Sequence, residues 1–429
     1  MTWKYQNKLL WIVPVSLLLS LSSCLKDNCT RTYRLYTPVY KTLTAVRQEM
    51  KSGAAKTLEK PGKLYIYGNY IFLNEQEKGI HIIDNSNPAS PKNIAFINIP
   101  GNVDLAVKGN TLYADSWMDL VSFDISNPQQ VIAKNFVNSV FPHRNGYYRY
   151  ATNYRPAPNA PLDPDSINVI VDWTTRDTTV SCETYNYLYE RFYASASADA
   201  SGSFASQQVG GGQGGSMARF TLMDNYLYTV TNAALNTFDI STPLQPSLVG
   251  KSQIGWDIET IYPFKNQLFI GSSSGMFIYD VSNPGTPSKK GSFSHVRSCD
   301  PVVANDTYAY VTLRSGTMCQ GFTNQLEVLD VRNLNNPGLV KTYPMTNPHG
   351  LAIDGNTLFI CDGKDGLKVY DAANANELKL IRQIGDFETY DIIAYNKWAL
   401  VVAKDGLYQF DYTNLNNIKQ ISKISLDKH

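Results

Sequence analysis

Acidic residues and one histidine recur near the starts of repeated strands, where they could bind a cation or transfer protons. Carboxylate oxygens suit calcium and other hard cations, and two carboxyl groups at the right separation can act as general acid and base in glycoside cleavage. The alternative is structural, because polar residues also begin strands beside a water-filled channel and cap exposed amides. The residues concerned are Asp104, Asp257, Glu259, Asp300, His349 and Asp391. Their catalytic and metal-binding roles are unknown from the sequence, and both interpretations stay open.

These residues lie within seven copies of an apolar strand that ends in aspartate and is followed by a turn. Successive copies are mostly about forty residues apart, which is the period of propeller blades. A unit of this length holds four short strands and their connections, as in one antiparallel blade. The seven aspartates are Asp84, Asp124, Asp239, Asp280, Asp330, Asp371 and Asp411.

This motif resembles the repeat of the LVIVD-repeat family of bacterial surface proteins, from about residue 62 to residue 426. The resemblance implies an all-β chain in which the repeats close into a β-propeller, and seven copies imply a seven-bladed β-propeller of four-stranded antiparallel blades over residues 61–429. The last two copies lack the proline of the turn. The resemblance implies little about activity.

An insertion at residues 141–216 separates the second and third repeats by about 75 residues more than one unit. Residues 167–173 alternate like a strand, and residues 178–183 are predicted to return as its hairpin partner. The following stretch, rich in Ser, Ala and Gly, is predicted to be a flexible loop. A degraded eighth blade is the alternative to this hairpin.

Aromatic residues alternate within the insertion, at Tyr185, Tyr187 and Tyr189, and Tyr193 follows. On a strand, this spacing would present one aromatic face that can stack on sugars or peptides. Alternatively, the same rings pack the insertion onto the propeller.

The N-terminus has the features of a lipoprotein signal peptide, residues 1–23. Lys4 and Lys8 precede an apolar run, which ends in Leu21-Ser22-Ser23-Cys24. We predict that acylated Cys24 anchors the chain in outer-membrane lipid and that residues 24–60 form the anchor, a linker and an N-terminal segment. Lys26 and Asp27 resemble the signal that directs Bacteroidetes lipoproteins to the cell surface.

The charge balance and the cysteines limit the remaining interpretations. The chain has 38 basic and 37 acidic side chains. Without Lys4 and Lys8 of the signal peptide the balance is 36 to 37, so the mature chain has no excess of positive charge for binding nucleic acid. Export permits disulfides, and we predict that Cys299 and Cys319 bond because their connections belong to one face. Two free thiols are the alternative.

Two functional classes follow from these observations. The first is a non-enzymatic, lipid-anchored surface propeller that binds a glycan, peptide or protein partner through its insertion-bearing face. The second is a surface glycan hydrolase or lyase that uses an acidic channel mouth around Asp104, Asp300, Asp391 and His349. No certain cofactor is implied, although calcium would suit the acids.

Overall fold

The computed structural model describes residues 30–151, 162–181, 213–295, 301–316 and 322–427. The chain divides into two compact units, one formed by Met1–Val39 with Asp172–Ala198 and the other by Tyr40–Val171 with Asp199–His429. Several residues singled out in the sequence lie outside the described residues, namely Cys24, Tyr185, Tyr187, Tyr189, Tyr193, Cys299, Asp300 and Cys319. No helix of the described residues is long and apolar enough to cross a membrane.

The first unit is described only through parts of two long strands, β1 (Thr30–Thr42) and β12 (Ile167–Ser181). Within it, the Arg34 guanidinium pairs with Asp177 at 3.1 Å. The predicted hairpin is wrong here, because residues 178–181 continue β12 instead of turning back. The intervening residues 174–177 are Thr-Thr-Arg-Asp, which lack the Gly or Pro of a tight turn. In the second unit, β11 (Tyr148–Tyr150) pairs with residues 167–169 of β12, and among the described residues these strands do not make the four-stranded sheet of a further blade.

The second unit contains a short helix near its start, α1 (Leu43–Glu49). The Thr42 hydroxyl accepts the Ala45 amide at 3.2 Å and so caps the helix. Leu43 and Val46 are buried and attach this helix to the core.

In the described part of the second unit, seven sheets each contain four consecutive antiparallel strands. With strands numbered in chain order, the first three sets are β3 (Pro61–Tyr67), β4 (Tyr70–Glu75), β5 (Gly79–Asp84), β6 (Lys92–Asn98); β7 (Leu105–Lys108), β8 (Thr111–Ser116), β9 (Asp119–Asp124), β10 (Ile132–Val137); and β14 (Phe220–Met223), β15 (Tyr226–Val230), β16 (Ala234–Asp239), β17 (Ser247–Gln253). The next two are β18 (Ile258–Phe264), β19 (Gln267–Ser272), β20 (Gly275–Asp280), β21 (Ser288–Ser294); and β22 (Val302–Ala304), β23 (Tyr308–Leu313), β24 (Gln325–Asp330), β25 (Gly338–Pro344). The last two are β26 (Leu351–Asp354), β27 (Thr357–Cys361), β28 (Leu367–Asp371), β29 (Lys379–Ile384); and β30 (Thr389–Tyr395), β31 (Trp398–Ala403), β32 (Gly406–Asp411), β33 (Lys419–Ser425).

The first set is extended at both edges. The two-residue strand β2 (Ser52–Gly53) pairs with β6, and β13 (Gln213–Gly214) pairs with β3, which gives a six-stranded sheet. Short 3₁₀ helices lie at Pro142–Tyr147, Pro164–Ser166 and Leu415–Asn417.

The repeated aspartate is a turn residue. In all seven copies its carboxylate accepts the backbone amide two residues later, as Asp280 does from Ser282 at 2.8 Å. This bond fixes the turn between the third and fourth strands. Hydrogen bonds from the Ser282 hydroxyl and amide, and then from Lys290, lower the pKa of Asp280 to about 2. The motif that defines the repeat is therefore structural.

The fourth strand of every set carries a β-bulge at the same register. In the third set, for example, Thr237 pairs with Gly250 but Phe238 pairs with Leu248, so Val249 is the extra residue. The other six sets show the same shift. Bulges twist an outer strand and make its edge a poorer template for another chain.

Consecutive sheets contact each other through their innermost strands. Contacts join β3 to β7, β7 to β14, β14 to β18, β18 to β22, β22 to β26 and β26 to β30, and β31 of the last sheet contacts β3 of the first. The apolar core lies between neighbouring sheets and includes fully buried rings such as Tyr113, Phe238 and Phe359.

The chain after α1 runs along the outer edges of three sheets. The Ser52 amide donates to Val131 O at 2.9 Å beside the second sheet, and Ser52 itself pairs with Ile97 of the first. Further on, Leu58 forms a parallel bridge with Leu426 beside the last sheet. Residues 50–58 thus connect the outer strands of the first, second and seventh sheets.

Candidate functional site

One register position at the start of the innermost strands carries three buried charged side chains. In each sheet, the first and second strands form a hairpin, and the position lies four residues before the last paired residue of the first strand. Asp104 thus precedes Lys108, and Asp391 precedes Tyr395. The residues at this position are Lys63, Asp104, Arg219, Thr260, Pro301, Gly350 and Asp391. We call Lys63, Asp104, Arg219 and Asp391 the central charges.

The sequence alignment of Glu259 with Asp104 is wrong by one residue. Counted back from the hairpin at Phe264 and Gln267, this position is Thr260, and Glu259 precedes it. Two basic residues that the sequence analysis missed, Lys63 and Arg219, occupy the same position. The acidic mouth predicted from the sequence is therefore a row of mixed charges, in which Lys63 of the first sheet stands between acids of the seventh and second sheets.

Three of the central charges are closed off from solvent. Lys63 and Asp104 are 3% exposed and Asp391 is fully buried. Burial lowers the pKa of Lys63 to about 8, against the attraction of Asp104, and burial raises the pKa of Asp104 to about 6, against the attraction of Lys63. Burial also raises the pKa of Asp391 well above its usual value. The buried ammonium and carboxylates thus compensate each other only in part.

Residues 213–218, which we call the central segment, cover these charges. Gln213 and Gly214 pair with Ile66 and Tyr65 as an additional strand inside β3. Gln213 Nε2 also donates to Ala394 O at 3.2 Å.

The rest of the central segment contacts other innermost strands. The Leu351 amide donates to Ser216 Oγ at 2.7 Å, and Lys63 Nζ donates to Met217 O at 2.5 Å. Because Ser216 is fully buried, the starts of these strands border packed protein and not a water-filled channel.

Asp104 is held by backbone amides. Its Oδ1 accepts the Leu105 amide at 2.7 Å, and its Oδ2 accepts the Arg219 amide. Asp391 differs, because neither of its carboxylate oxygens has a partner in hydrogen-bond geometry. The Ser216 hydroxyl and the Ile392 amide nevertheless lie near enough to favour its ionised form. A side chain at Gly350 would overlap Asp391, since a Cβ there would lie 1.9 Å from Oδ1.

Next to the central charges, several half-buried polar side chains form what we call the mouth. Arg219 Nε donates to Glu259 O at 3.3 Å. Burial lowers the pKa of Arg314, and the nearby Glu259 carboxylate offsets part of this effect. Burial and the Arg314 charge lower the pKa of His349 to about 3. Arg219, Glu259, Arg314 and His349 are called the mouth residues below.

His349 is fixed by contacts on two sides. Its Nε2 lies 3.1 Å from Asn347 Nδ2, and its carbonyl accepts the Thr312 hydroxyl at 2.7 Å. Its ring packs edge-on against Tyr390, with 5.3 Å between centroids. Because Asn347 can only donate from Nδ2, His349 Nε2 is the acceptor and the ring is neutral.

The insertion contributes a second basic group beside this mouth. Arg144 donates to Asp115 Oδ2 at 2.7 Å and lies over the ring of Trp117. The side chain of His143 is exposed, but its pKa is lowered to about 4. Desolvation by the surrounding protein is the main cause, and the positive charges of Arg219 and Arg144 add to it.

Asp257 does not join the central charges. It lies exposed on the connection between β17 and β18, where the Ser273 hydroxyl donates to its Oδ2 at 3.2 Å. Its neighbour Trp256, which the sequence analysis missed, is 81% exposed. Among the described residues, no group of three or more His, Cys, Asp or Glu side chains is placed to hold a metal ion.

The comparison with solved structures establishes the class of fold. The periplasmic gluconolactonase PpgL of Pseudomonas aeruginosa superposes with a TM-score of 0.52 at 11% identity, over 86% of this chain and 97% of that one. A Lactobacillus plantarum protein gives 0.52 at 13% identity, over 88% and 96%. The computationally designed Ika8 protein gives 0.51 at 10% identity, over 87% and 92%. The chain has a β-propeller-like all-β fold.

The family comparison confirms the predicted repeat. The model described as LVIVD repeat matches residues 61–96, 101–138, 214–253 and 266–295. Four stretches of this chain are thus LVIVD repeats. Among curated proteins, none matches it in sequence.

Proposed function

We propose that the seven four-stranded sheets form one seven-bladed propeller and that it serves as a non-enzymatic binding scaffold at the cell surface. The ring is supported by the contacts between consecutive innermost strands and by the contact of β31 with β3. The bridge between Leu58 and Leu426 holds the same two sheets at their outer edges.

The observation that supports a binding role is that the central acids are buried and cannot contact a ligand. Asp104 and Asp391 are buried under the central segment, and Asp104 is occupied by two backbone amides. A general acid or base must lie within hydrogen-bond reach of its substrate. The raised pKa of Asp104 meets one requirement of the hydrolase alternative, but its carboxylate offers no surface to a glycan.

The ligand surface of this proposal is the end of the sheets where the innermost strands begin. The connections between sheets and the loops between second and third strands lie at this end, and the insertion leaves the second sheet here. Two large apolar side chains protrude from it, Trp256 at 81% exposure and Phe322 at 100%. Exposed aromatic rings of this kind bind sugar faces and protein side chains.

The test is a glycan array and a partner pull-down with the full chain in detergent. We expect a bound glycan or protein whose affinity falls at least tenfold in Trp256→Ala/Phe322→Ala. The matched control is Leu339→Ala, an exposed apolar residue on the outer strand β25, which should bind normally. A ligand that binds both variants equally well, or glycan cleavage that Asp104→Asn abolishes, would overturn the proposal.

The anchor is a separate part of the proposal. We propose that Cys24 carries lipid and holds the chain at the outer membrane. Metabolic labelling with a fatty-acid analogue should mark the wild type and not Cys24→Ser, and protease added to intact cells should remove the propeller. Equal labelling of the two proteins would contradict the anchor without affecting the binding role.

A further inference from the structure

Among the described residues, two guanidinium groups at the mouth have no side-chain partner in hydrogen-bond geometry. No hydrogen bond or ion pair within the described chain engages the Arg314 side chain, and Arg219 uses only its Nε, for Glu259 O. Arg314 is half-buried, so its donors are partly removed from water without replacement. Guanidinium donors in such a position match the paired oxygens of an oxyanion.

The surroundings keep this mouth positive. Glu259 is the acidic side chain that acts on Arg314, while Asp104 faces the backbone amide of Arg219 and is also compensated by Lys63. Asp115 is bound to Arg144. Among the described mouth residues, two arginines therefore face one carboxylate, that of Glu259, which favours an anionic ligand.

Neutral hydrogen-bonding groups lie next to the cations. His349, adjacent to Arg314, is neutral and held in place by Asn347 and Tyr390. The hydroxyl of Tyr390 donates to Glu388 at 3.3 Å. Neutral, oriented polar groups of this kind recognise hydroxyl groups, which a bare anion does not have.

An aromatic side chain stands on the connection that leads into β18, the strand of Glu259. Trp256 precedes Glu259 by three residues, and its indole is largely exposed. The face of an indole packs against the C–H groups of a sugar ring, and its edge keeps contact with water.

We propose that the mouth binds an acidic carbohydrate, with Arg219 and Arg314 holding a carboxylate or sulfate group and Trp256 packing on the sugar ring. This inference rests on the proposed binding function and assigns a ligand class to it. Carboxylate and sulfate share the chemistry that the guanidinium groups recognise, and experiment must distinguish them.

The experiment is a calorimetric titration of the full chain in detergent. The probes are a uronic-acid oligosaccharide, a sulfated oligosaccharide, a neutral oligosaccharide of equal length and a poly-glutamate peptide. We expect one acidic oligosaccharide to bind at least tenfold more tightly than the neutral one and the peptide, and its affinity to fall with added salt. The preferred probe identifies the anion as carboxylate or sulfate.

The variants are Arg314→Gln and Arg219→Gln, with Arg332→Gln as the matched control. Arg332 is an exposed arginine that pairs with Asp330. It lies on the turn between β24 and β25, at the end of the sheet away from the mouth. Each mouth variant should lose tenfold or more in affinity and the control should not. Arg314→Gln carries the test if Arg219→Gln fails to fold, because Arg314 has no side-chain bond to lose.

Three results would overturn the inference. They are equal binding by wild type and Arg314→Gln, tighter binding of poly-glutamate than of either acidic oligosaccharide, and preference for the neutral oligosaccharide. In the last case, loss of binding in Trp256→Ala would preserve the scaffold function while rejecting its acidic ligand. Binding of all probes without any effect of Trp256→Ala or Arg314→Gln would reject both.

Discussion

Lys63 Nζ donates to the carbonyl oxygen of Met217 at 2.5 Å, which binds the innermost strand of the first sheet to the central segment. The ammonium also compensates Asp104 and Asp391, the acids of the neighbouring second and seventh sheets. One buried side chain therefore connects three sheets and the segment that lies among them.

Replacing Lys63 with methionine should destabilise the protein by about 3 to 5 kcal/mol, because it leaves buried carboxylates without their counter-charge. Urea unfolding monitored by circular dichroism measures the change. The double variant Lys63→Met/Asp391→Asn should recover part of the loss. A change below about 1 kcal/mol in the single variant would show that Lys63 does not compensate these acids.

Asp104 should make the folded state less stable as pH rises from about 4 to 6. Burial raises its pKa from 3.8 to about 6, so the folded state binds more protons than the unfolded state in this range. The stabilisation is complete below pH 3.8 and is lost as pH rises through about 6, at a cost of about 3 kcal/mol.

Unfolding curves for wild type and Asp104→Asn across pH 4 to 7 test this dependence. The variant should show a flatter profile, and Asp306→Asn, at an exposed turn carboxylate, should retain the wild-type slope. Parallel profiles for wild type and Asp104→Asn would contradict the assignment of a raised pKa to Asp104.

Gly350→Ala should destabilise the protein by about 1 to 3 kcal/mol through overpacking, because the new methyl group would displace the Asp391 carboxylate. Gly338→Ala is the matched control, since nothing lies within 4 Å of its Cβ position. In the double variant Gly350→Ala/Asp391→Ala, the carboxylate is absent, so the new methyl group should no longer overlap it. If the two single glycine variants melt at the same temperature, the close approach at Gly350 is not a constraint.

Asp280→Ala should cost about 1 kcal/mol at neutral pH, because the Ser282 amide loses its acceptor in the turn. The pKa of Asp280 is lowered from 3.8 to about 2, so its contribution is present above pH 3.8 and is lost as pH falls towards 2. The stabilities of the variant and the wild type should converge in that range. A difference that stays constant down to pH 2 would assign the effect to packing.

The repeat was readable from the sequence because its signals are local. Apolar alternation, the aspartate turn and the forty-residue period all act within one sheet, and they place residues such as Asp84 and Asp371 correctly. The long strand β12 was misread as a hairpin because its partners, β1 and β11, are remote or short and give no local signal for pairing.

The candidate site was only partly predictable. Asp104 and Asp391 were found from their position at strand starts, and counting back from the hairpin turns would also have found Lys63 and Arg219. In the fourth sheet, the same count from the turn at Lys265 and Asn266 gives Thr260, so Glu259 was misplaced by one residue. The burial of these charges depends on the central segment, whose path is fixed by bonds to remote strands such as that of Leu351.

The position of the central segment also constrains how the chain is made. It leaves the ribosome after the second sheet, yet two of its partners, Leu351 and Ala394, are synthesised more than a hundred residues later. Until then, Lys63 and Asp104 have only part of their final surroundings. The central segment is therefore fixed on both sides only when the last two sheets have been made. Misassembly and dependence on chaperones should be greatest at this late step.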